Sequence, residues 1–408
     1  MSNAQRVEKH IIKPSDRYFS LLIKFCHLSK NLYNHANYLV RSQFFEEGTW
    51  LRYNTLDRLL KQDIEYPDYK SMPTARSAQQ TLRLLDRNWK SFFKSIKDWS
   101  KRKDKYLGKP KPPKFLKKSG NYSLILTNQD CKLRGDKIYF PKVFDGFTLS
   151  PRFIDRTDYL SFQQVRFIPH KHHIVVEMVY SISIPISEPD NNRYIGIDIG
   201  VANLATVSNN IGATPFIING KPVKSVNQNY NRHLSHYKSV AKMMNNKDYT
   251  KKMDSLTEKR NAQIDDYLHK ASRKIINFCT ENDIHTVVIG KNDEWKQASK
   301  LSKRVNQHFV QIPFARFIEM IQYKAEEYGI AVIPTEESYT SGTSFIDNEL
   351  PVKENYDKSR RVHRGLFRSN SGTLINADLN GAYQIIKKVF PIEWDSGCAL
   401  HPIVVNIA

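Results

Sequence analysis

Cysteine is scarce in this chain of 408 residues, and its four cysteines, Cys26, Cys131, Cys279 and Cys398, stand far apart. No CxxC pair exists, which argues against a zinc ribbon and a disulfide framework and for separate thiols in a reducing cytosol. Long apolar runs are missing too. None approaches the ~18 residues of a membrane span, and the opening "MSNAQRVEKHIIKPSDRYFS" lacks the pattern of a signal peptide. A soluble, cytoplasmic protein with no membrane partner is expected. Acid is in deficit: 41 Asp+Glu face 63 Lys+Arg, a formal net charge of +22. An excess of this size attracts phosphate backbones and points to nucleic acid. It is concentrated in residues 1–190, with 34 basic and 19 acidic side chains against 29 and 22 in the remainder.

What is present is ordinary globular patterning. "LLIKFCHLSKNLYNHANYLVRSQFFEEG" (21–48) and "MPTARSAQQTLRLLDRNWKSFFKSIKDW" (72–99) have helical spacing, with Pro73 placed to start the second helix. The stretch from Lys94 to Lys118 holds eleven basic residues and two acids and is broken by prolines. It reads as a solvated, extended segment, either a plain linker or a strap that tracks phosphates. From Tyr122 the period changes to two. "YSLILT", "KLRGDKIYFP", "FQQVRFIP" and "HHIVVEMVYSISIP" are short strands, with Arg134-Gly135-Asp136 as a hairpin turn, and the helical unit is inserted into, or preceded by, a small antiparallel barrel. His170, His172 and His173 fall in a hairpin turn and lack partners of metal-site spacing. After a linker at 187–192 the chain alternates. Strands are predicted over 193–210, 216–225, 286–290 and 330–334, and helices over 227–282, 313–328 and 376–389, which make a mostly parallel sheet covered by helices.

Two acids stand out in this half. Asp198 follows Ile195-Gly196-Ile197 on a strand otherwise buried on both faces, and Asp378 lies near the start of an inward-facing helix in "LINADLNGAYQIIKKV". A buried carboxylate needs a partner, and two on separate elements suggest an oxygen-ligated site for Mg²⁺. Two such ions could activate water and stabilise the leaving oxygen in phosphodiester cleavage.

The segments "YIGIDIGVANLATV", "QIPFARFIEMIQYKAEEYGIAVI", "ESYTSGTSF" and "INADLNGAYQI" resemble the RuvC segments of the TnpB family, transposon-encoded RNA-guided endonucleases related to type V CRISPR effectors. The similarity is strong over about 190–390 and weaker over 1–190. It implies a multidomain α+β fold: an antiparallel wedge β-barrel (1–20 and 121–188) with an inserted helical recognition domain and basic strap (21–120). A ribonuclease H-like RuvC domain (189–408), with a cysteine-free insertion at about 342–373, follows. The implied partners are a guide RNA and target double-stranded DNA, the implied cofactor two Mg²⁺ ions with Mn²⁺ as a substitute. The implied location is prokaryotic cytoplasm, nucleoid-associated when on DNA. No zinc is expected, because the family's four-cysteine ribbon is replaced by "FIDNELPVKENYDKSRRVHRGLFRSNSGTL".

The family's middle catalytic glutamate aligns with Gly290, in "HTVVIGKNDEW" (285–295). In a ribonuclease H-like sheet the neighbouring strand would end at "TEESYTS", so Glu336 or Glu337 could reach across the ~4.8 Å between strands. Alternation sends the two to opposite faces. Glu337 is preferred; Asp293 and Glu294 are rivals. The catalytic and metal-binding set is therefore Asp198, Asp378 and Glu337, with Glu336 as its alternate. For nucleic acid, Arg76, Ser77, Gln79 and Gln80 share a helix surface suited to base edges, or form a plain polar face. Lys101, Arg102, Lys103, Lys105, Lys109 and Lys111 lie in the strap. Arg360, Arg361, Arg364 and Arg368 grip phosphates or serve as solubilising charges. Two other functions compete. A non-cutting RNA-guided repressor would keep the binding and lose the chemistry. An actin-like ATPase would share "GIDIG" but needs a second phosphate loop, which "NADLNGA" does not supply.

Overall fold

The computed structural model describes residues 2–187, 189–246, 248–291, 310–393 and 400–407. They form two compact units, one of Asn3–Ser183 and one of Ile184–Ala408 with Met1–Ser2.

In the first unit, strands β1 (Ser2–Ile12), β2 (Leu124–Thr127), β6 (Tyr159–Pro169) and β7 (Ile174–Ile184) bond in the order β1-β7-β6-β2. Strands β3 (Lys132–Arg134), β4 (Lys137–Tyr139) and β5 (Thr148–Leu149) make a separate three-stranded sheet. Among the described residues, then, the expected barrel strands form two separately bonded sheets. The Arg134-Gly135-Asp136 turn is found, with Gly135 at φ +55°, the left-handed conformation a tight hairpin needs. Helices α1 (Phe19–Glu47), α2 (Tyr53–Gln62) and α3 (Ala75–Lys101) complete the unit. The fully buried Trp89 of α3 donates its indole N–H to Asn37 of α1 (3.0 Å), and Ser29 bonds Thr81 (3.0 Å). The short α2 was not expected: its apolar stripe is only Leu56 and Leu60.

The second unit is built on six strands: β8 (Tyr194–Ile199), β9 (Asn203–Asn209), β10 (Phe216–Asn219), β11 (Thr286–Gly290), β12 (Ala331–Thr335) and β16 (Ile403–Val405). Their order is β12-β11-β8-β9-β10-β16, with β8, β11 and β12 parallel and β9 antiparallel between β8 and β10. Helices α4 (Lys221–Asn245), α5 (Lys251–Glu281), α6 (Phe314–Glu326) and α7 (Ala377–Lys387) belong to it. The helix expected over 227–282 is two helices, because Asn246 takes a left-handed cap conformation (φ +47°). The strand expected over 216–225 stops at Asn219, where Pro222 helps start α4 instead.

Alternation decides which side chains meet. Ile195, Ile197 and Ile199 of β8 and Val287 and Ile289 of β11 join the core that holds α5 and α6. Gly196, Asp198, Val288 and Gly290 therefore face the other way, toward α7. Beyond β12 the insertion forms a three-stranded sheet, β13 (Arg361–His363), β14 (Leu366–Arg368) and β15 (Leu374–Asn376). It has its own small core around Phe345, Phe367, Ile375 and Tyr383.

Candidate active site

Asp198 sits at the carboxyl end of β8 beneath the first turns of α7. The approach is close enough that a Cβ on Gly381 would lie 3.1 Å from Asp198 Oδ2. Asp378 is in the first turn of α7, where the helix dipole favours a negative charge. Asn376 caps that turn by accepting from the Asp378 and Leu379 N–H groups (3.1 and 3.0 Å). Both Asp378 carboxylate oxygens are engaged: Asn203 Nδ2 donates to Oδ2 (2.7 Å) and Arg361 Nη2 to Oδ1 (3.2 Å). Burial raises the Asp198 pKa, and the Asp378 charge adds to it, with Arg361 opposing.

Glu337 answers the question posed by Gly290. Gly290 pairs with Thr335 in the β11–β12 register, and Glu337 stands two residues beyond. Its side chain lies over Gly290, where a Cβ would fall 2.6 Å from Glu337 Cγ. Burial raises the Glu337 pKa, and Asp198 is the next largest cause, with Lys388 opposing. Glu336 is a correction to the sequence expectation. It points into solvent, bonded to Ser338 and 3.6 Å from Lys388, because successive residues leave the strand on opposite sides. Asp293 and Glu294, the other rivals, lie outside the described residues.

Among the described residues no three His, Cys, Asp or Glu side chains are gathered as a ready-made metal cage. Mutual repulsion between carboxylates and the Arg361 bond to Asp378 both work against such closure. The donor chemistry nevertheless fits a hard divalent cation: three carboxylates on three elements, with the amide of Asn203 beside them. In two of these acids burial raises the pKa and a neighbouring carboxylate adds to it, so a bound cation would favour their ionised forms. Asn203, Asn376, Gly381 and Lys388 escaped the sequence reading. Only Asn376 carried a usable signal, as a helix-capping asparagine before "ADLNGA".

The nucleic-acid candidates divide. Ser77 is fully buried and completes a capping box with Thr74, so it cannot touch a base. Arg76 is exposed and bonds Gln129 (2.8 Å), while Gln79 and Gln80 are half-buried. Lys101, Lys103, Lys105, Lys109 and Lys111 are exposed; Arg102 is exposed but paired with Asp98. Arg360 is a second correction. It donates to both oxygens of Glu349 (2.8 Å each) and lies near Asp347, which makes it an internal clamp of the insertion. Arg364 and Arg368 are exposed on β13–β14 and their turn, and Arg361 reaches the acidic site instead.

A family model described as a probable transposase, OrfB_IS605, matches residues 173–296, and a Cas12f1-like TNB domain model matches residues 314–385. The TnpB-like protein ORF457 of Acidianus two-tailed virus is 24% identical over 405 residues, covering 90% of this chain and 83% of that protein. The chain is thus similar to a TnpB-like protein along most of its length. The two family models meet the site from both sides: Asp198 and Gly290 lie in the first match, Glu337 and Asp378 in the second. Solved structures with detectable similarity include a Cas12f1–sgRNA–target DNA complex, at 14% identity. It covers 93% of this chain and 98% of that chain, with a TM-score of 0.37. The mini-RNA-guided endonuclease CRISPR-Cas_phi3 is 10% identical, covering 98% and 94%, with a TM-score of 0.47. Among the described residues no helix is long and apolar enough to cross a membrane.

Proposed function

We propose that this protein is an RNA-guided DNA endonuclease that cleaves target DNA by metal-dependent phosphodiester hydrolysis, with Glu337 replacing the acid absent at Gly290. The carrying observation is the seating of the buried Glu337 over Gly290, near enough to Asp198 that the aspartate's charge adds to the cost of ionising it. Space above a glycine in a packed sheet ordinarily takes an apolar side chain. A carboxylate there is expensive unless something cationic compensates it.

Asp198, Glu337 and Asp378 would hold two Mg²⁺ ions, with Mn²⁺ as a substitute. Such ions, when bound, supply an activated water and charge stabilisation of the leaving oxygen. The chain itself does the positioning. Asn203 fixes the orientation of the Asp378 carboxylate, and Asn376 fixes the turn beneath it. Lys388 holds the Ser338 carbonyl (3.0 Å), anchoring the turn that aims Glu337.

In this reading a guide RNA selects the target by base pairing, and the partner cut is double-stranded DNA. The unit Ile184–Ala408 would be the ribonuclease H-like RuvC domain, an assignment supported by its strand order. The unit Asn3–Ser183 would combine the wedge barrel and the recognition helices. The test is cleavage of matching DNA by purified protein with its guide RNA and Mg²⁺. Asp198→Ala, Glu337→Ala and Asp378→Ala should each abolish cutting, and Glu336→Ala should leave it. Cutting that survives Glu337→Ala would reject the relocated acid. Tight, salt-sensitive DNA binding without cutting under any metal would favour a repressor.

A further inference from the structure

The lysine- and proline-rich segment between α3 and β2 is held along one face of α1. His27, Lys30, Asn34, Asn37 and Arg41 follow at helical steps of three and four, so they form one stripe. Each bonds the segment: His27 to the Gly120 carbonyl (3.0 Å), Lys30 to that of Lys118 (2.8 Å), and Asn37 and Arg41 to that of Pro113 (3.2 and 3.0 Å). Asn34 exchanges two bonds with Leu116, donating to its carbonyl (2.9 Å) and accepting from its N–H (2.8 Å), as a neighbouring strand would. The bonds run antiparallel to α1, from Arg41 at Pro113 to His27 at Gly120, and a turn closed by the Gly120 N–H on the Lys117 carbonyl (2.8 Å) ends the irregular stretch. A slack linker would not be pinned at successive turns of one helix.

Pinning sorts its side chains. Pro110, Pro112, Pro113 and Leu116 are half-buried, while Lys109, Lys111, Lys114, Lys117 and Lys118 are exposed. Beside them an aromatic pair is left in water: Phe115 is 50% and Phe45 62% exposed, and the Arg41 guanidinium lies 5.4 and 5.3 Å from their ring centres. Lysines alone would suit any phosphate backbone. Exposed rings beside them suit a strand whose base faces are free, because a duplex hides those faces.

We propose that residues 109–118, with Phe45 and Arg41 of α1, form a preorganised rail for single-stranded nucleic acid, with phosphates on the lysines and a base stacked on Phe115. This deepens the nucleic-acid reading above. It is tested by binding alone, so failure to cut DNA would leave it standing. Full-length protein freed of copurified nucleic acid is titrated, without divalent metal, against labelled single-stranded RNA, single-stranded DNA and duplex DNA of equal length.

Wild type should bind single strands more tightly than duplex. Combined Lys109→Gln, Lys111→Gln, Lys114→Gln and Lys117→Gln should flatten the slope of log K against log salt by about two to three. Phe115→Ala should weaken single-strand binding about tenfold with the salt slope unchanged. Asn34→Ala, which removes no charge and no ligand contact, should weaken it several-fold by loosening the rail. Preference for RNA would assign the rail to the guide, and preference for DNA to a displaced strand; both support it. Tighter duplex binding, or single-strand binding unaltered by the lysine and Phe115 variants, overturns it. Those two variants are at the surface and should keep the wild-type thermal midpoint, so they carry the test even if Asn34→Ala destabilises the unit.

Discussion

Glu337 fills the volume that a side chain on Gly290 would require: a Cβ there would lie 2.6 Å from Glu337 Cγ and 2.7 Å from Ile385 Cδ1. The two positions are thus mutually exclusive sites for one carboxylate. Gly290→Ala should push Glu337 off its seat and cut the cleavage rate about a hundredfold, the scale expected for an ångström of misplacement. The thermal midpoint should fall by a few degrees as well, because the buried Ile385 must also shift to make room. The stronger test is exchange: Glu337→Ala combined with Gly290→Glu returns an acid to β11 and should recover part of the activity that Glu337→Ala loses. No recovery, with a folded protein, would count against equivalence of the two positions.

How much of this was legible beforehand follows from the residues. Asp198 could be found because a charged residue interrupts a strand buried on both faces, and Asp378 because it interrupts an apolar helical stripe. The choice between Glu336 and Glu337 needed the exit angle of the chain after Thr335, a tertiary property that alternation could only frame. Ser77 was misread because a buried capping serine and an exposed polar serine look alike in one sequence. Arg360 was misread for the same reason: its partners Glu349 and Asp347 lie eleven and thirteen residues away, beyond any helical spacing. The rail on α1 was visible only as a charge run, since side chain to backbone bonds leave no periodic signature in the segment that accepts them.

Divalent cations should stabilise the second unit. At tenfold excess over the dissociation constant the gain is about 1.4 kcal/mol, a shift of a few degrees in thermal midpoint for a unit of this size. Glu337→Ala and Asp198→Ala should lose that shift. Arg361→Gln should do the opposite, because its guanidinium competes with the cation for Asp378 (3.2 Å). The pair is partly exposed and worth about 1 kcal/mol or less, so titration calorimetry should show a two- to fivefold tighter affinity. An unchanged or weaker affinity would make Arg361 a helper of metal binding, not a competitor.

The arginines of the insertion should separate by salt dependence. Arg360→Gln leaves Glu349 and Asp347 without their guanidinium inside the insertion and should cost on the order of 3 kcal/mol in denaturant unfolding. It should not alter the salt slope of DNA binding, since Arg360 is engaged internally. Arg364→Gln with Arg368→Gln should do the reverse: near-wild-type stability and a salt slope flatter by about two on duplex DNA. A flatter slope for Arg360→Gln alone would restore it as a phosphate contact.

Lys324 gives the second unit a pH dependence of its own. It is buried on α6, donating to the His269 carbonyl (2.6 Å) and the Ser272 hydroxyl (2.7 Å). Burial pushes its pKa down from 10.5 to about 8, Arg273 adds to the effect and Glu327 opposes it. Between those two values the unfolded chain holds the proton that the folded chain has released. Stability must then rise as pH increases from about 8 toward 10.5. Below pH 8 both states are charged and the cost of burying the ammonium is carried in full. Lys324→Met should remove that cost and its pH slope. Ser272 keeps its own bond to the Leu268 carbonyl (2.8 Å) and loses only an incoming donor. Denaturant unfolding at pH 7.0 and 9.5 measures the effect as a difference between the two proteins, in which other titrating groups cancel. Wild type should gain about 2 kcal/mol more than Lys324→Met over that interval. Parallel pH profiles would mean that Lys324 stays charged in its buried position, held by the two oxygens it already bonds.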